Sequence, residues 1–146
     1  MLEFLRVRGV VLPWSLDLRM IGRVDSKGKL CGVVAYNGFV GATCCIHCAG
    51  DDSNWASPEF LYASFDYPFN KCKLVAVFGT LASNNLQALR LDQHLGFRQV
   101  HIVPQGWDSE NDLIILEMRR ENCRWLKEDS DGEQQISRGV AVGSSA

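Results

Sequence analysis

Reactive side chains are concentrated in the short segment Cys44-Cys45-Ile46-His47-Cys48. Histidine titrates near neutral pH and can accept a proton from a reacting group, so His47 is a candidate general base; a histidine satisfied within the core is the alternative. Cys45 and Cys48 have the two-residue gap of zinc ligands, but in a strand their side chains point to opposite faces, and no second Cys or His pair follows. The sequence therefore predicts no metal site.

A second group of polar residues surrounds the start of a predicted helix. Asn84 or Asn85 can cap that start, and Gly96 can close the helix end in a left-handed conformation. The Ser83 hydroxyl can cap the turn. A carboxyl group at Asp92 can act as a general acid only if burial raises its pKa; an ionised, solvated carboxylate is the alternative.

The predicted elements that hold these residues alternate between strands and helices. The run 74–78 is apolar and β-branched, which is typical of a buried strand, and apolar residues at helical spacing follow it. Ser57 with Pro58 and Glu59 is typical of a helix start, and Pro68 is expected to end or kink that helix. The other predicted elements are a hairpin of strands 20–24 and 30–36, a strand at 42–49 buried on both faces, strands at 99–103 and 112–119, and a short turn at 121–126 anchored by Trp125.

Length and composition predict a single globular domain. The chain has 146 residues, 47% of them hydrophobic, and a formal net charge of −2, so charge gives no reason to expect binding to nucleic acid or to a membrane surface. No apolar run reaches the ~18 residues of a membrane span. Glu3, Arg6 and Arg8 interrupt any secretory signal, so the expected compartment is the cytoplasm.

We expect this domain to cover residues 1–126. Residues 1–13 fit either a strand or a short helix, and residues 14–21 have a weak helical pattern. Residues 127–146 are rich in charge, Gly and Ser and are expected to be a disordered tail.

Four motifs, in the same order, resemble those of the GNAT acyltransferases. Asn85-x-x-Ala88-x-x-Leu91 followed by Gly96-Phe97 resembles their Asn-x-x-Ala…Gly-Phe signature. The segments 33–37, 67–69 and 118–126 are similar to those of a small group of such proteins in bacteriophages and bacteria. The resemblance implies an α/β (α+β) fold with a mixed, mainly antiparallel sheet flanked by helices, in which one pair of strands splays apart to form the cofactor cleft.

The resemblance also implies acetyl-CoA as the cofactor. The pantetheine arm would lie in the cleft against backbone groups of Ile46, His47 and Cys48. It would also contact the Asn84–Asn85 turn, where the small Ala88 lets the helix approach closely.

The diphosphate would lie at the start of the preceding helix, near Asn54, Trp55 and Ser57. This segment departs from the family pattern, because aspartates stand in place of the usual basic residue and Gly-rich loop, and Pro58 lacks an N–H donor. Trp55 would cover the adenine or pack against the helix. Asp92 stands where many family members carry a tyrosine as general acid toward the leaving thiolate, and the Ser83 hydroxyl could hydrogen-bond that thiolate instead.

Tyr36 and Asn37 are candidate contacts to the acceptor, and a half-buried strand aromatic is the alternative for Tyr36. The resemblance implies transfer of an acetyl group to a primary amine of a small molecule, a protein or a modified nucleobase, in the host cytoplasm if a phage encodes the chain. Two other functions stay open. One is a catalytically inactive GNAT-fold binding protein, associated with a virion or regulating a host target, and the other is transfer of another acyl or aminoacyl group. A homodimer through the last strands is also open.

Overall fold

The structure is a computed structural model that describes residues 1–12, 15–51 and 54–126, together with the backbone of 140–144. Its helices are α1 (Leu2–Arg6), α2 (Pro58–Asp66) and α3 (Leu86–Leu95). Its strands are β1 (Arg19–Val24), β2 (Leu30–Val40), β3 (Thr43–Gly50), β4 (Ala76–Ala82), β5 (Arg98–Val103), β6 (Leu113–Arg119) and β7 (Val140–Ser144). A π-helical turn, Tyr67–Lys71, extends α2, and two 3-10 turns, Arg120–Asn122 and Arg124–Leu126, follow β6.

The seven described strands form one sheet in the order β5-β6-β4-β3-β2-β1-β7. All neighbouring pairs are antiparallel except β3 and β4. Strand alternation divides the apolar side chains of β2 between two cores. Val34 and Tyr36 join the larger core with Phe60 and Phe65 of α2, while Val33 and Ala35 join a smaller core on the opposite face with Leu5 of α1.

The parallel pairing of β3 with β4 is short. It covers three residue pairs, Thr43 with Ala76, Cys44 with Val77 and Cys45 with Phe78. Beyond these pairs, β3 continues to Gly50 along β2, and β4 continues to Ala82 along β6. The two strands therefore diverge into a wedge, which confirms the predicted mixed sheet with one splayed strand pair.

A proline in the chain after α2 determines how that helix is held. Ser57 caps its start by accepting a hydrogen bond from the N–H of Phe60 (3.4 Å). At the other end, the carbonyl of Ser64 lacks its helical donor, because that donor would be the absent N–H of Pro68. The buried hydroxyl of Tyr36 donates to this carbonyl instead, at 2.6 Å. The chain then continues as the π-helical turn, so Pro68 ends the α-helical hydrogen bonding as predicted.

Three sequence-based expectations need correction. Only Cys44 of β3 is buried, because the splayed half of the strand borders a cavity rather than a second strand. Residues 15–18 form a turn before β1 instead of a helix, and Trp14 lies outside the described residues. Strand β4 lies further along the chain than residues 74–78, and Val75, before it, is half-exposed.

The expected disordered tail also differs in part from the structure. Val140–Ser144 forms β7, which pairs with β1 from Arg19–Ser144 to Arg23–Val140. Without this segment, β1 would lie at the edge of the sheet with unpaired N–H and carbonyl groups. β7 pairs with that edge and satisfies them. Residues 127–139 and 145–146, for which a disordered tail was also expected, lie outside the described residues.

The hydrogen bond between Tyr36 and Ser64 can be tested by unfolding. We expect Tyr36→Phe to lower the free energy of unfolding by about 1–3 kcal/mol, because it leaves a buried carbonyl without a donor. In a Pro68→Ala background, the new N–H of residue 68 can pair with the Ser64 carbonyl. In that background, Tyr36→Phe should therefore lower the free energy of unfolding by less. Urea unfolding of the four proteins measures the coupling; equal costs in both backgrounds would contradict it.

Candidate active site

A cavity of about 550 Å³ occupies the wedge between β3 and β4. One wall is the splayed half of β3, the other is β4 from Gly79 to Ala82, and α3 borders both. Leu61 and Phe65 of α2 form its floor. At its entrance lie Val11, from the segment after α1, and Trp107, from the loop between β5 and β6.

The wall formed by β3 offers backbone hydrogen-bonding groups. Ile46, His47 and Cys48 pair on one edge with β2, through Tyr36, Ala35 and Val34 respectively. Their other edge has no strand partner among the described residues, since the pairing with β4 ends at Cys45. A ligand rich in amides can pair with such an edge as an added strand would.

His47 projects to the face that carries α1. Its Nε2 lies 3.0 Å from Oδ1 of Asn37 on β2. Burial lowers the pKa of His47, because the imidazolium is poorly solvated there. The neutral imidazole that results at neutral pH is the form that can accept a proton.

Asp92 lies on α3 and lines the opposite side of the wedge. Burial raises the pKa of its carboxyl group to about 6. Burial, and then the charge of Asp92, raise the pKa of the Cys48 thiol to about 12. Asp92 is thus half-buried rather than fully solvated, although it is still mostly ionised at neutral pH, and Cys48 is a neutral thiol rather than a nucleophilic thiolate.

Basic residues from other elements offset the acidic loop between β3 and α2. Arg8 pairs with Oδ1 of Asp51 through Nε (2.8 Å) and Nη2, and Nζ of Lys29 lies 3.8 Å from Oδ2. Arg23 donates to the carbonyls of Asn54 and Trp55, the latter at 2.8 Å. The positive charge that the sequence lacks in this loop thus comes from distant parts of the chain.

Trp55 is part of the core, with 7% of its surface exposed. Its ring covers Gly50 so closely that a Cβ on that glycine would lie 2.0 Å from the tryptophan Cγ. It also makes an edge contact with Phe60, with ring centroids 6.1 Å apart. The packing alternative therefore describes Trp55, although one side of it still borders the cavity.

The cavity brings together about half of the residues that the sequence analysis selected, namely Ile46, His47, Cys48, Trp55, Asn85, Ala88 and Asp92. Asn85 caps α3, with its Oδ1 accepting from the N–H of Ala88 at 3.2 Å. The backbone N–H of Ala88 is thus part of the helix cap, and its small side chain is part of the cavity wall.

The other selected residues lie elsewhere. Tyr36 is buried against α2, so its predicted contact with an acceptor is wrong. The Ser83 hydroxyl accepts from the N–H of Asp112 (3.0 Å), which joins the ends of β4 and β6, a contact that differs from both roles expected for Ser83. Asn54, Ser57 and Asn84 do not line the cavity, and Asn37 reaches it through its contact with His47.

Sequence reasoning missed many of the residues that line the cavity, among them those at its entrance. Arg8 and Val11 come from the N-terminal segment, and Trp107, which is 52% exposed, comes from a turn. A tryptophan within a polar, Gly-containing turn was a signal that could have been used, because loops carry exposed aromatic residues for binding. Nothing in the sequence indicates that the N-terminal segment reaches the wedge.

The described residues contain neither a cluster of metal ligands nor a helix that could span a membrane. There is no group of three or more His, Cys, Asp or Glu side chains there that could hold a metal ion. None of the helices described above is long and apolar enough to cross a membrane.

The charge of Asp92 should make stability depend on pH. The folded state binds the Asp92 proton more tightly than the unfolded state, whose pKa is near 3.8, so the free energy of unfolding falls as pH rises from about 4 to about 6. We expect Asp92→Asn to be more stable than the parent by on the order of 2–3 kcal/mol at pH 7, and equal to it at pH 4.

Urea unfolding at both pH values measures this difference. Glu110→Gln, which removes an exposed carboxylate from the β5–β6 loop, is the matched control and should change stability little at either pH. An Asp92→Asn protein no more stable than the parent at pH 7 would contradict the assignment.

Comparisons with known proteins show a likeness in structure. A scan against models of protein families and a search of curated proteins found no match. Among solved structures, a GNAT-family acetyltransferase from Bacillus anthracis matches with a TM-score of 0.56 and 17% identity, over 66% of this chain and 62% of that one. Spermidine N-acetyltransferase from Vibrio cholerae, a dodecamer, matches with a TM-score of 0.61 and 14% identity, over 72% and 66%.

Ribosomal-protein-S5-alanine acetyltransferase from Vibrio fischeri matches with a TM-score of 0.55 and 15% identity, over 68% of this chain and 58% of that one. The chain thus spans less than two thirds of the length of each of these three proteins. At these identities the likeness concerns the fold. With its short parallel strand pair, its wedge and its capped α3, the chain has the fold of the GNAT acetyltransferases.

Proposed function

We propose that the protein is an N-acetyltransferase that transfers an acetyl group from acetyl-CoA to a primary amine. The observation that carries the proposal is the cavity between β3 and β4, which has an unpaired strand edge on one side and a candidate proton acceptor and proton donor at its walls. The fold alone would not carry it, because one fold supports many functions.

The residues of the wedge fit the arm of acetyl-CoA. Backbone groups of Ile46 and Cys48 on the unpaired edge of β3 can pair with its amides. On the other wall, a Cβ added at Gly79 would meet nothing within 4 Å, so the strand leaves room for a chain to pass. When bound, acetyl-CoA supplies a thioester whose acetyl group passes to the amine. Asn85 and Ala88 of α3 border the same space.

The proton acceptor and the proton donor lie on opposite faces of the sheet. His47 projects to the α1 face, where an amine can enter past Val11 and Trp107. As a neutral imidazole it can take the proton that the attacking amine must lose. Asp92, on α3, is mostly ionised above pH 6, so its minor protonated form is the one that can give a proton to the leaving sulfur. This separation supports a transfer in which donor and acceptor approach from opposite sides.

The cavity favours an acceptor with a single amine over a polyamine. Asp92 is the one carboxylate among the described residues that line it, and the nearby carboxylate of Asp51 is already paired with Arg8. Several ammonium groups would meet little opposite charge there. Acceptors in which one amine is attached to an apolar group fit Val11 and Trp107 better.

A GNAT-fold binding protein without catalysis is the second candidate. One observation favours it, namely the few free N–H donors at the start of α2. Pro58 has none, the N–H of Phe60 is taken by the Ser57 hydroxyl, and the N–H of Leu61 is taken by the Ser57 carbonyl. The N–H of Glu59 donates to that residue's own carboxylate, so a diphosphate gains less there than at most helix starts.

Calorimetric titration with acetyl-CoA decides between the two candidates. We expect binding of the parent protein, and we expect Gly79→Val to weaken it by at least about tenfold because the side chain fills the wedge. Gly79→Ala should bind acetyl-CoA with an affinity between those of the parent and Gly79→Val. The midpoint of thermal unfolding should be similar for all three proteins, since a Cβ at this position meets open space. Absence of heat and of any thermal shift at millimolar acetyl-CoA would overturn the proposed function.

The acceptor entrance can be tested by steady-state kinetics. Because Trp107 borders the entrance and not the arm of acetyl-CoA, Trp107→Ala should raise KM for an amine acceptor several-fold and leave the dissociation constant of acetyl-CoA unchanged. Thiol release with a panel of primary amines gives the rates. An unchanged KM for every amine would remove Trp107 from the entrance.

A further inference from the structure

Asn37 and His47 form a pair of polar side chains across two strands. In the antiparallel pairing of β2 with β3, Asn37 lies opposite Cys45, and Ala35 lies opposite His47. Asn37 and His47 are therefore diagonal neighbours on one face, within reach of each other. Their side chains make a contact of 3.0 Å between Oδ1 and Nε2.

This contact specifies which nitrogen of the ring carries the proton. A neutral imidazole has one nitrogen that donates and one that accepts, and an amide oxygen accepts only. With Oδ1 facing it, Nε2 must carry the hydrogen, so the lone pair is on Nδ1. Among the described residues, nothing forms a hydrogen bond with Nδ1 of His47.

The backbone around Asn37 holds its side chain in place. A β-bulge begins directly after it, where the register with β3 shifts and Gly38 adopts a left-handed conformation with φ of 60°. Beyond the bulge, the N–H of Phe39 donates to Oδ2 of Asp17 at 3.0 Å. The strand is thus fixed on both sides of Asn37, by the ladder before it and by this carboxylate after it.

We propose that Asn37 is a positioning residue, which accepts a hydrogen bond from Nε2–H of His47 and so makes Nδ1 the atom that takes the proton from the acceptor amine. The inference rests on the proposed function, because it names the atom that acts at the same site. It also changes the sequence-based interpretation of Asn37 from a contact with the acceptor to a contact with the base.

The charged groups around His47 leave this arrangement undisturbed. Arg8, from the segment after α1, is paired with Asp51, and Asp17 is occupied by Phe39. Asp92 lies across the wedge on α3. Burial alone accounts for the lowered pKa of His47. The ring therefore enters the reaction neutral, with the tautomer that the amide of Asn37 selects.

The tautomer can be measured without any turnover. Long-range 15N–1H spectra of the full-length protein distinguish the two neutral forms of each histidine ring, and we expect His47 to be protonated at Nε2. His94 and His101, on α3 and β5, are exposed and serve as internal references. A ring protonated at Nδ1 would overturn the proposal whatever the activity of the protein.

Three variants test the effect on the reaction. Asn37→Ala should lower kcat by about tenfold, with binding of acetyl-CoA unchanged, and should have no further effect in a His47→Gln background. Asn37→Asp places a carboxylate beside the ring, which raises the pKa of His47, so the acid limb of the kcat/KM profile should move up by about one pH unit. Asn122→Ala, in an exposed turn after β6, is the matched control and should change neither quantity.

Two outcomes separate the proposal from the function on which it rests. If the Nε2–H tautomer is found but no amine is acetylated, the proposed function fails and the ring contact stands. If acetylation occurs but Asn37→Ala and Asn37→Asp leave kcat and the pH profile unchanged, the positioning role fails. A variant that does not fold is replaced by the spectra of the unmodified protein.

Discussion

The divergence of β3 from β4 is the constraint on which the rest of the structure depends. Each strand is held along its outer edge, β3 by β2 and β4 by β6, while the inner edges pair at only three positions. The right-handed twist of sheets rotates neighbouring strands relative to each other, so two halves joined at so few positions separate quickly. The wedge is thus a consequence of how the two halves of the sheet are anchored, and it exists before any ligand enters.

The wedge also disfavours the charged forms of its titratable side chains, because these forms are poorly solvated there. Burial shifts the pKa of His47 down and those of Asp92 and Cys48 up, and each shift favours the neutral form. At neutral pH these shifts keep His47 and the Cys48 thiol neutral, whereas Asp92, with a pKa of about 6, is still mostly ionised. An ionised carboxylate in this place costs stability.

The sequence predicted the order of the elements from β1 to β6, the Ser57 cap, the left-handed Gly96 and the splayed strands. These features depend on local patterns, such as apolar spacing, capping residues and turns, together with the quoted motifs. What it did not predict depends on contacts between distant residues. The buried hydroxyl of Tyr36 has a partner because Pro68 leaves the Ser64 carbonyl without a helical donor, and the charge near Asp51 is offset by Arg8, forty-three positions away.

The same contrast, between local motifs that were predicted and contacts between distant residues that were not, holds for the candidate site. Residues close in sequence, such as Asn85 and Ala88, were assigned to the wall from the resemblance of their motif to that of the GNAT acyltransferases. Trp107 and Val11 were missed because loops and termini carry no periodic pattern, and their place at the entrance is decided by how they return over the sheet. The contact of Asn37 with His47 depends on strand register, since a shift of β3 by one residue would move His47 to the face opposite Asn37.

The place of β7 has a practical consequence for anyone who prepares a shortened version of this protein. Cutting the chain after Leu126 would strip the partner from β1 and turn an interior strand into a border of the sheet. Its freed N–H and carbonyl groups would then be available to a second molecule, and trimming the chain would promote aggregation rather than improve crystals or solubility.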